Sequence, residues 1–259
     1  MMRRRMLATA ILFSFLLAIP TWAAGWGSIK GRFVLTGTAP SPQKITITKD
    51  KEYCGKFGLV DESLRVDPAT HGIADIVVSL YVRRGKKVKV HPDLAKPSGT
   101  VELDNNHCHF VPHIAFLRAG QTLVIKNSDT VGHNTKIDTF SQAGTNFTIP
   151  AKGEIKQKFS KAERRPAKVS CSIHPWMSGY LVIKDHPYVA ISGKDGSFEI
   201  KNLPAGKVSL QLWHHSGYVD KVTIGGKKKK LKRGKLEVTI KDGQTVDLGE
   251  IKVPVAELK

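Results

Sequence analysis

The chain has 259 residues, of which 41 are lysine or arginine and 22 are aspartate or glutamate, so its formal net charge is +19. The length is sufficient for one large or two small domains. Beyond the N-terminus, no stretch of the sequence is long and apolar enough to span a membrane. No membrane-spanning helix is therefore expected beyond the N-terminus.

The first 23 residues are predicted to be an export signal. Arg3, Arg4 and Arg5 form a charged region, an apolar run follows, and the small residues Thr21 and Ala23 permit cleavage after Ala23. An uncleaved membrane anchor is the alternative, but an apolar run of about 15 residues is shorter than the ~18 expected of a spanning helix. Losing three arginines lowers the charge from +19 to +16. We expect an exported, periplasmic protein with no transmembrane segment in the mature chain.

The remaining sequence predicts an all-β protein. Helical periodicity is hard to find, whereas alternating apolar runs of strand length recur between turn residues, among them SIKGRFVL, ADIVVSLYV, QTLVIKN, YLVIK and KVSLQLW. This pattern favours β-sandwiches or barrels. Residues 27–95 hold the first two of these runs and are predicted to be an N-terminal β segment.

The three cysteines suggest one disulfide and one thiol with another use, because the chain is expected in an oxidising compartment. If Cys171 is a metal ligand, Cys54 and Cys108 are the predicted disulfide. The alternative is that Cys108 is itself a metal ligand, since it lies between His107 and His109.

Three histidines alternate along a predicted strand, at His107, His109 and His113. Three imidazoles can bind copper or zinc, so a second metal site is one interpretation. A partly solvated strand face is the simpler interpretation, and we prefer it.

The segment CSIHPWM places a thiol, an imidazole and a thioether within seven positions, as Cys171, His174 and Met177. This soft ligand set suits copper, and a His2Cys site with a weak axial Met is the blue-copper arrangement. A second imidazole must come from another loop, and His133 is the candidate because it follows the predicted strand QTLVIKN. An unpaired thiol in an exported protein is open to oxidation, and binding copper removes that difficulty.

This part of the chain resembles the cupredoxins. CSIHPWMSGYLVI looks like a cupredoxin copper loop with the spacers of amicyanin, and FVPHIAFLRAGQTLVIKN, residues 110–127, looks like the family's F-x-P…G-D-T-V-x-x-x-N strand pair. The resemblance covers residues 98–185 and implies a Greek-key β-sandwich with one type 1 copper. Two departures are Gln121, where the family has Asp, and the absence of the usual Gly-x-Tyr approach to Cys171.

Carried over residue by residue, the resemblance implies a ligand set of three equatorial groups, one axial group and one supporting residue. The equatorial ligands would be His133, Cys171 and His174, the axial ligand would be Met177, and Asn134 would tie the two ligand loops together.

The resemblance also implies a docking surface beside the copper loop. In the family, electrons leave through the exposed edge of the second histidine, here His174. Pro175, which stiffens the loop by fixing its own φ, and Trp176 would form part of that surface. Core packing is the alternative role for Trp176.

The C-terminal part, SGKDGSFEIKNLPAGKVSLQLWHHSGY at residues 192–218, resembles the carboxypeptidase regulatory-like, or transthyretin-like, sandwich. That module normally opens with a G-x-I-x-G-x-V strand, which is found at the mature N-terminus and not directly before residue 188. We therefore expect the copper domain to be inserted into a sandwich formed by residues 27–95 and 186–256. Three β units in tandem are the alternative.

The basic run GGKKKKLKRGK, residues 225–235, is predicted to be a solvated hairpin tip. The alternative is a patch that docks an acidic partner or an anionic surface, and nucleic acid is not expected outside the cell.

The predicted function is a periplasmic one-electron carrier with a redox partner that is acidic, and the alternative is a copper-handling protein with no redox partner. We expect no enzymatic activity, because Ser170 and Ser172 flank Cys171 where copper enzymes have a His-Cys-His bridge.

Overall fold

A computed structural model describes residues 25–258, so the predicted signal peptide of residues 1–23 lies outside the described residues. Within this range the chain is all-β, as predicted, with one four-residue helix, α1 at Lys51–Cys54, and short 3₁₀ turns at Gly55–Phe57, Pro92–Leu94 and Val255–Glu257. No helix among residues 25–258 is long and apolar enough to cross a membrane.

The strands in chain order are β1 Trp26–Thr36, β2 Val77–Leu80, β3 Thr100–Asn106, β4 His109–Val111, β5 Ile114–Arg118, β6 Thr122–Asn127, β7 His133–Asp138, β8 Thr145–Ile149, β9 Glu154–Lys158, β10 Ala167–Ser170, β11 Ser178–Lys184, β12 Val189–Ile191, β13 Ser197–Pro204, β14 Gly206–His214, β15 Gly217–Tyr218, β16 Lys221–Ile224, β17 Lys227–Lys230, β18 Lys235–Ile240 and β19 Thr245–Pro254.

The first sandwich combines strands from both ends of the described chain. One sheet has the order β13-β1-β19-β16-β17, and the other has β12-β2-β14-β15 with β18 also paired to β14. Strand β1 pairs antiparallel with β13 and parallel with β19. Phe33, Tyr188, Leu212 and Ile251 are fully buried in the core between these sheets. We propose on this basis that residues 27–95 and 186–256 form one unit.

The second sandwich contains only strands from the middle of the chain. Its sheets have the orders β5-β11-β10-β7-β8 and β4-β3-β6-β9. The alternating apolar residues of these strands point inward, so Leu103, Ile125, Val169 and Leu181 are fully buried in its core. This sandwich contains all four predicted copper ligands. In the sequence they lie between the end of β6 and the start of β11.

The two sandwiches touch through a small apolar cluster. Ile114 of β5 and Val182 of β11 pack with Val77 of β2 and Trp213 of β14. Because the histidines that adjoin these strands lie at the same boundary, the contact brings His113 next to His215.

A long connector, residues 37–76, leads from β1 to β2 and contains α1. A disulfide between Cys54 of the connector and Cys108 of the turn between β3 and β4 joins it to the second sandwich. The connector therefore lies against the end of the second sandwich that holds the copper loop, where its Asp50 contacts His174.

Candidate metal centre

The loop of residues 171–177 is closed by the strands on either side of it. Strand β10 pairs antiparallel with β11, and Ser170 lies opposite Ser178. Within the loop, the Cys171 N–H donates to the Met177 carbonyl at 3.3 Å and the Met177 N–H donates to the His174 carbonyl at 2.9 Å. Backbone hydrogen bonds thus fix the spacing between the thiol and the imidazole.

The loop meets His133 because β10 also pairs antiparallel with β7, which begins at that histidine. Nδ1 of His133 lies 2.9 Å from Nδ1 of His174, and the Cys171 Sγ lies 3.8 Å from the latter atom. Both histidines are 0% exposed and Cys171 is 3% exposed. One thiolate and two imidazoles that converge in a closed site fit a soft or borderline transition metal, with copper the best match.

Met177 is also buried, at 1% exposure, and it packs into the core at the end of the loop. The other three predicted ligands are assigned from distances between their donor atoms, whereas Met177 is assigned from its position in the loop. The axial assignment therefore stays a proposal.

Asn134 connects the two ligand loops. Its backbone N–H donates to the Cys171 Sγ at 3.3 Å, and its side-chain oxygen accepts from the Ser172 N–H at 3.0 Å. The His174 N–H donates to the same sulfur at 3.4 Å. Burial by itself raises the pKa of the Cys171 thiol, but the two histidines and these N–H donors outweigh burial and lower the pKa to about 6. The thiolate, which is the metal-binding form, is thereby favoured.

His133 is oriented by the buried carboxylate of Asp129, which no sequence motif indicates. Its Nε2 lies 2.7 Å from the Asp129 carboxylate, which also accepts from the backbone N–H groups of His107 and Cys108 and from the Tyr53 hydroxyl. A proton held on Nε2 by this bond leaves Nδ1 free to coordinate. Burial lowers the pKa of His133, but the Asp129 and Cys171 partners outweigh it and raise the pKa to about 8.

His174 has a matching partner in the connector. Its Nε2 lies 2.7 Å from the Asp50 carboxylate, whose side chain is 40% exposed. Asp50 directly precedes α1, with a left-handed φ of 46°, and its carbonyl accepts from the N–H groups of Tyr53 and Cys54. The prediction that the edge of the His174 ring is exposed is therefore wrong, because Asp50 covers that edge.

The predicted docking residues differ in their surroundings. Pro175 is exposed, whereas Trp176 is half-buried and donates its indole N–H to the Cys108 carbonyl at 3.1 Å. The Trp176 ring lies 5.1 Å from the His174 ring. Trp176 thus bridges the copper loop and the disulfide turn.

The predicted group of His107, His109 and His113 does not converge. No metal-sized cluster of these three is found among residues 25–258. The His107 ring packs on Phe57 at 4.4 Å, and His113 is buried at the boundary between the sandwiches. A second described cluster consists of Cys108, Asp129 and His133, but the Cys108 sulfur is in the disulfide.

No family model matches the chain, and no curated protein matches it. Three similar solved structures are an oxidized amicyanin mutant, a purple cupredoxin from Nitrosopumilus maritimus and a copper-containing nitrite reductase from Thermus scotoductus SA-01, each 18% identical. Their TM-scores are 0.30, 0.27 and 0.31. The matches cover 33%, 32% and 38% of this chain and 83%, 98% and 25% of the other chains, so this chain spans only a quarter of the nitrite reductase.

The prediction that the chain is not an enzyme is contradicted by this comparison, since one of the similar structures is a reductase. The similarity does not separate electron carriers from copper enzymes. Over about a third of its length, the chain is similar in structure to copper proteins that include cupredoxins.

Proposed function

We propose that the chain is an exported protein with one type 1 copper, held by His133, Cys171, His174 and Met177, and that it carries one electron at a time. The observation that supports the proposal is the convergence of the Cys171 sulfur with two Nδ1 atoms in a buried site. Copper, when bound, supplies the change between Cu(I) and Cu(II).

The residues of the chain would supply a rigid and dry environment for that change. Asp129 and Asp50 hold the two imidazoles at their far nitrogens, each at 2.7 Å. The N–H groups of Asn134 and His174 stabilise negative charge on the Cys171 sulfur. Because these contacts hold the ligand side chains from outside the metal site, little reorganisation would be needed between oxidation states, which favours electron transfer.

The test is the copper content and the visible absorption of the exported protein, wild type and Cys171→Ser. We expect one copper per chain and an intense thiolate-to-copper band in the wild type, and loss of the band in Cys171→Ser. Ser172→Ala is the matched control, since its side chain is exposed and its backbone N–H bond to Asn134 is retained. A wild-type protein that binds copper without the band would contradict a thiolate site.

A copper-handling protein without a redox partner is the second candidate. The observation in its favour is the covered edge of His174, which leaves that ring 0% exposed. Repeated chemical reduction and reoxidation of the copper-loaded protein distinguishes the two functions. A carrier keeps its copper through many cycles, whereas a handling protein releases Cu(I) to a chelator.

Surface charge and the predicted signal support a proposal for the partner and the location. Lys227–Lys230 form the exposed edge strand β17 and give one end of the first sandwich a dense positive charge. Such a surface would steer the protein to an acidic redox partner in the periplasm. Pro175 and Trp176 would be the contact nearest to the copper.

A further inference from the structure

A cavity of about 590 Å³ lies between the two sandwiches, away from the metal centre. The first sandwich contributes the turn that follows β2, and the second contributes Lys184 at the end of β11 and Phe140 after β7. Strand β11 begins directly after the copper loop and is seven residues long, so Lys184 lies about 20 Å from that loop. The cavity is therefore a feature separate from the metal centre.

The walls of this cavity are strongly basic, with seven lysine and arginine side chains. The first sandwich supplies Arg83, Arg84, Lys86, Arg233 and Lys235. The second sandwich supplies Arg164 and Lys184. Positive charge therefore faces the cavity from both sandwiches.

The protein does not neutralise this charge. None of the seven side chains forms an ion pair within residues 25–258. Glu163 in the wall is 2% exposed, and its carboxylate already accepts from the Phe140 N–H at 3.1 Å and the Ser141 N–H at 2.9 Å. Asp185, the second acidic residue of the wall, is exposed. Seven cations against two carboxylates leave an excess of five positive charges.

Three of these cations act on one hydroxyl group, that of Tyr81. The Lys235 Nζ lies over the Tyr81 ring, 3.6 Å from its centroid. Lys235 is the main influence that lowers the pKa of Tyr81, burial opposes it, and the charges of Arg164 and Arg83 lower the pKa further. Since Arg164 belongs to the second sandwich and the other two cations to the first, charges from both sandwiches converge at this side chain.

Lys184 is held in place at the opposite wall. Its Nζ donates to the Glu163 carbonyl at 2.8 Å and to the Arg164 carbonyl at 3.4 Å. An ammonium group has three N–H donors, so one remains for a ligand. Burial lowers the pKa of Lys184 to about 8, against the opposing charges of Asp185 and Glu163, so the ammonium group is still mostly charged at pH 7.

We propose that this cavity binds a small polyanion, a molecule with two or more phosphate or carboxylate groups. A guanidinium group presents a planar fork of N–H donors that matches both kinds of oxyanion. Cations crowded around one volume repel each other and focus a positive potential, which a bound polyanion would neutralise. A volume of about 590 Å³ is typical of small-molecule sites and favours a small ligand over a protein segment. The proposal does not depend on the proposed function, because none of the predicted copper ligands lines this cavity.

The test is calorimetric titration of the full exported chain with pyrophosphate and, separately, with citrate. We expect at least one of the two probes to bind at one site per chain, and the tighter probe identifies phosphate or carboxylate as the preferred group. Arg83→Gln and Arg164→Gln, one from each sandwich, should each weaken binding by about 10-fold, because each removes a charge-assisted hydrogen bond.

Lys228→Gln is the matched control for net charge. Lys228 lies in the exposed strand β17 and does not line the cavity. All three variants lose one positive charge, so a response to net charge alone would be equal in all of them. Cys171→Ser is a second control, and it should bind the probe as the wild type does, because both probes can also bind copper.

A measurement on the wild type decides the matter if an arginine variant folds poorly. Lys86 is exposed in the cavity wall, and Lys228 is exposed outside it. The bound probe should protect Lys86 from an amine-reactive label, as located by mass spectrometry, and leave Lys228 reactive. The proposal is overturned if neither probe binds at one site per chain, if either control weakens binding as much as the arginine variants do, or if Lys86 is not protected.

Discussion

Two pairs of histidines, of which His215 is half-buried and the other three are buried, differ sharply in the hydrogen bonds that their rings make. His133 and His174 each have one nitrogen held by a carboxylate at 2.7 Å and the other aimed at the Cys171 sulfur or at each other. His113 and His215 are stacked where the two sandwiches meet, without hydrogen bonds to their buried nitrogens within residues 25–258.

The difference shows that burial alone does not decide the chemistry of an imidazole. A carboxylate partner raises the pKa of His133 to about 8, whereas burial without such a partner lowers that of His113 to about 4. The first pair is oriented by the Asp129 and Asp50 carboxylates. In the second pair, the nearest carboxylate oxygen to His113, from Glu62, lies 3.8 Å from its Nδ1 and makes no hydrogen bond. The following changes break or sharpen this contrast, from the largest expected effect to the smallest.

Asp129→Ala should have the largest effect, because this fully buried carboxylate accepts from His133, Tyr53 and two backbone N–H groups. Leaving those donors without a partner should lower the free energy of unfolding by roughly 3 kcal/mol or more. Chemical denaturation of the metal-free protein measures it. Asp138→Ala is the control, since that side chain is half-exposed and makes only a surface pair with Lys136, and it should cost under about 1 kcal/mol. Equal effects would contradict the special role of Asp129.

Lowering the pH should destabilise the metal-free protein, because folding buries His113 as a neutral ring. The pKa of His113 is about 4 in the folded chain, below its ordinary value of about 6.5, so the unfolded chain binds the proton first as pH falls. Stability is retained above about pH 6.5 and lost between pH 6.5 and 4, by about 1 to 3 kcal/mol for this one group. Buried His186 and His214 have similar pKa values and add to the loss.

His113→Phe separates that contribution, because the ring is replaced by one that cannot titrate. Unfolding free energies measured from pH 4 to 7 should show a shallower slope in the variant than in the wild type. An unchanged slope would mean that His113 is not held neutral by its burial.

Asp50→Asn should affect the copper and not the fold. The Asp50 side chain is 40% exposed, and Asn keeps an oxygen for His174 and tolerates the φ of 46°. Loss of the negative charge should weaken copper binding by about 10-fold and raise the reduction potential, because the carboxylate stabilises the more positive oxidation state. Voltammetry and a copper competition assay measure these effects. A lowered potential would contradict the assigned contact.

Met177→Leu should have the smallest effect. Leu conserves the volume of a side chain that is 1% exposed, so the fold should lose under about 1.5 kcal/mol. A weak axial ligand tunes the potential more than it retains the ion, so copper should stay bound while the potential shifts. Loss of all copper from this variant would show that Met177 is a principal ligand instead.

Sequence alone predicted what is local and periodic. Alternating apolar runs identified an all-β fold, which the structure confirms, and the short spacing in CSIHPWM grouped Cys171 with His174. Asp129 was within reach of prediction, since it lies four residues before His133. It was missed because an acidic residue in a turn is common.

The remaining features depend on contacts that no local pattern encodes. Asp50 is 124 residues from His174, and it arrives through the irregular connector that is fixed by the Cys54–Cys108 disulfide. The approach of His215 to His113 depends on how the two sandwiches pack. Spacing rules operate within a loop or strand, whereas these contacts are set by packing between distant parts of the chain.

The most direct measurement of the central claim is X-ray absorption at the copper edge of the exported, copper-loaded wild-type protein. The account predicts a first shell with one short sulfur bond from Cys171 and two imidazole nitrogens from His133 and His174. A first shell of nitrogen and oxygen only, with Cys171 free to react with a thiol reagent, would contradict it.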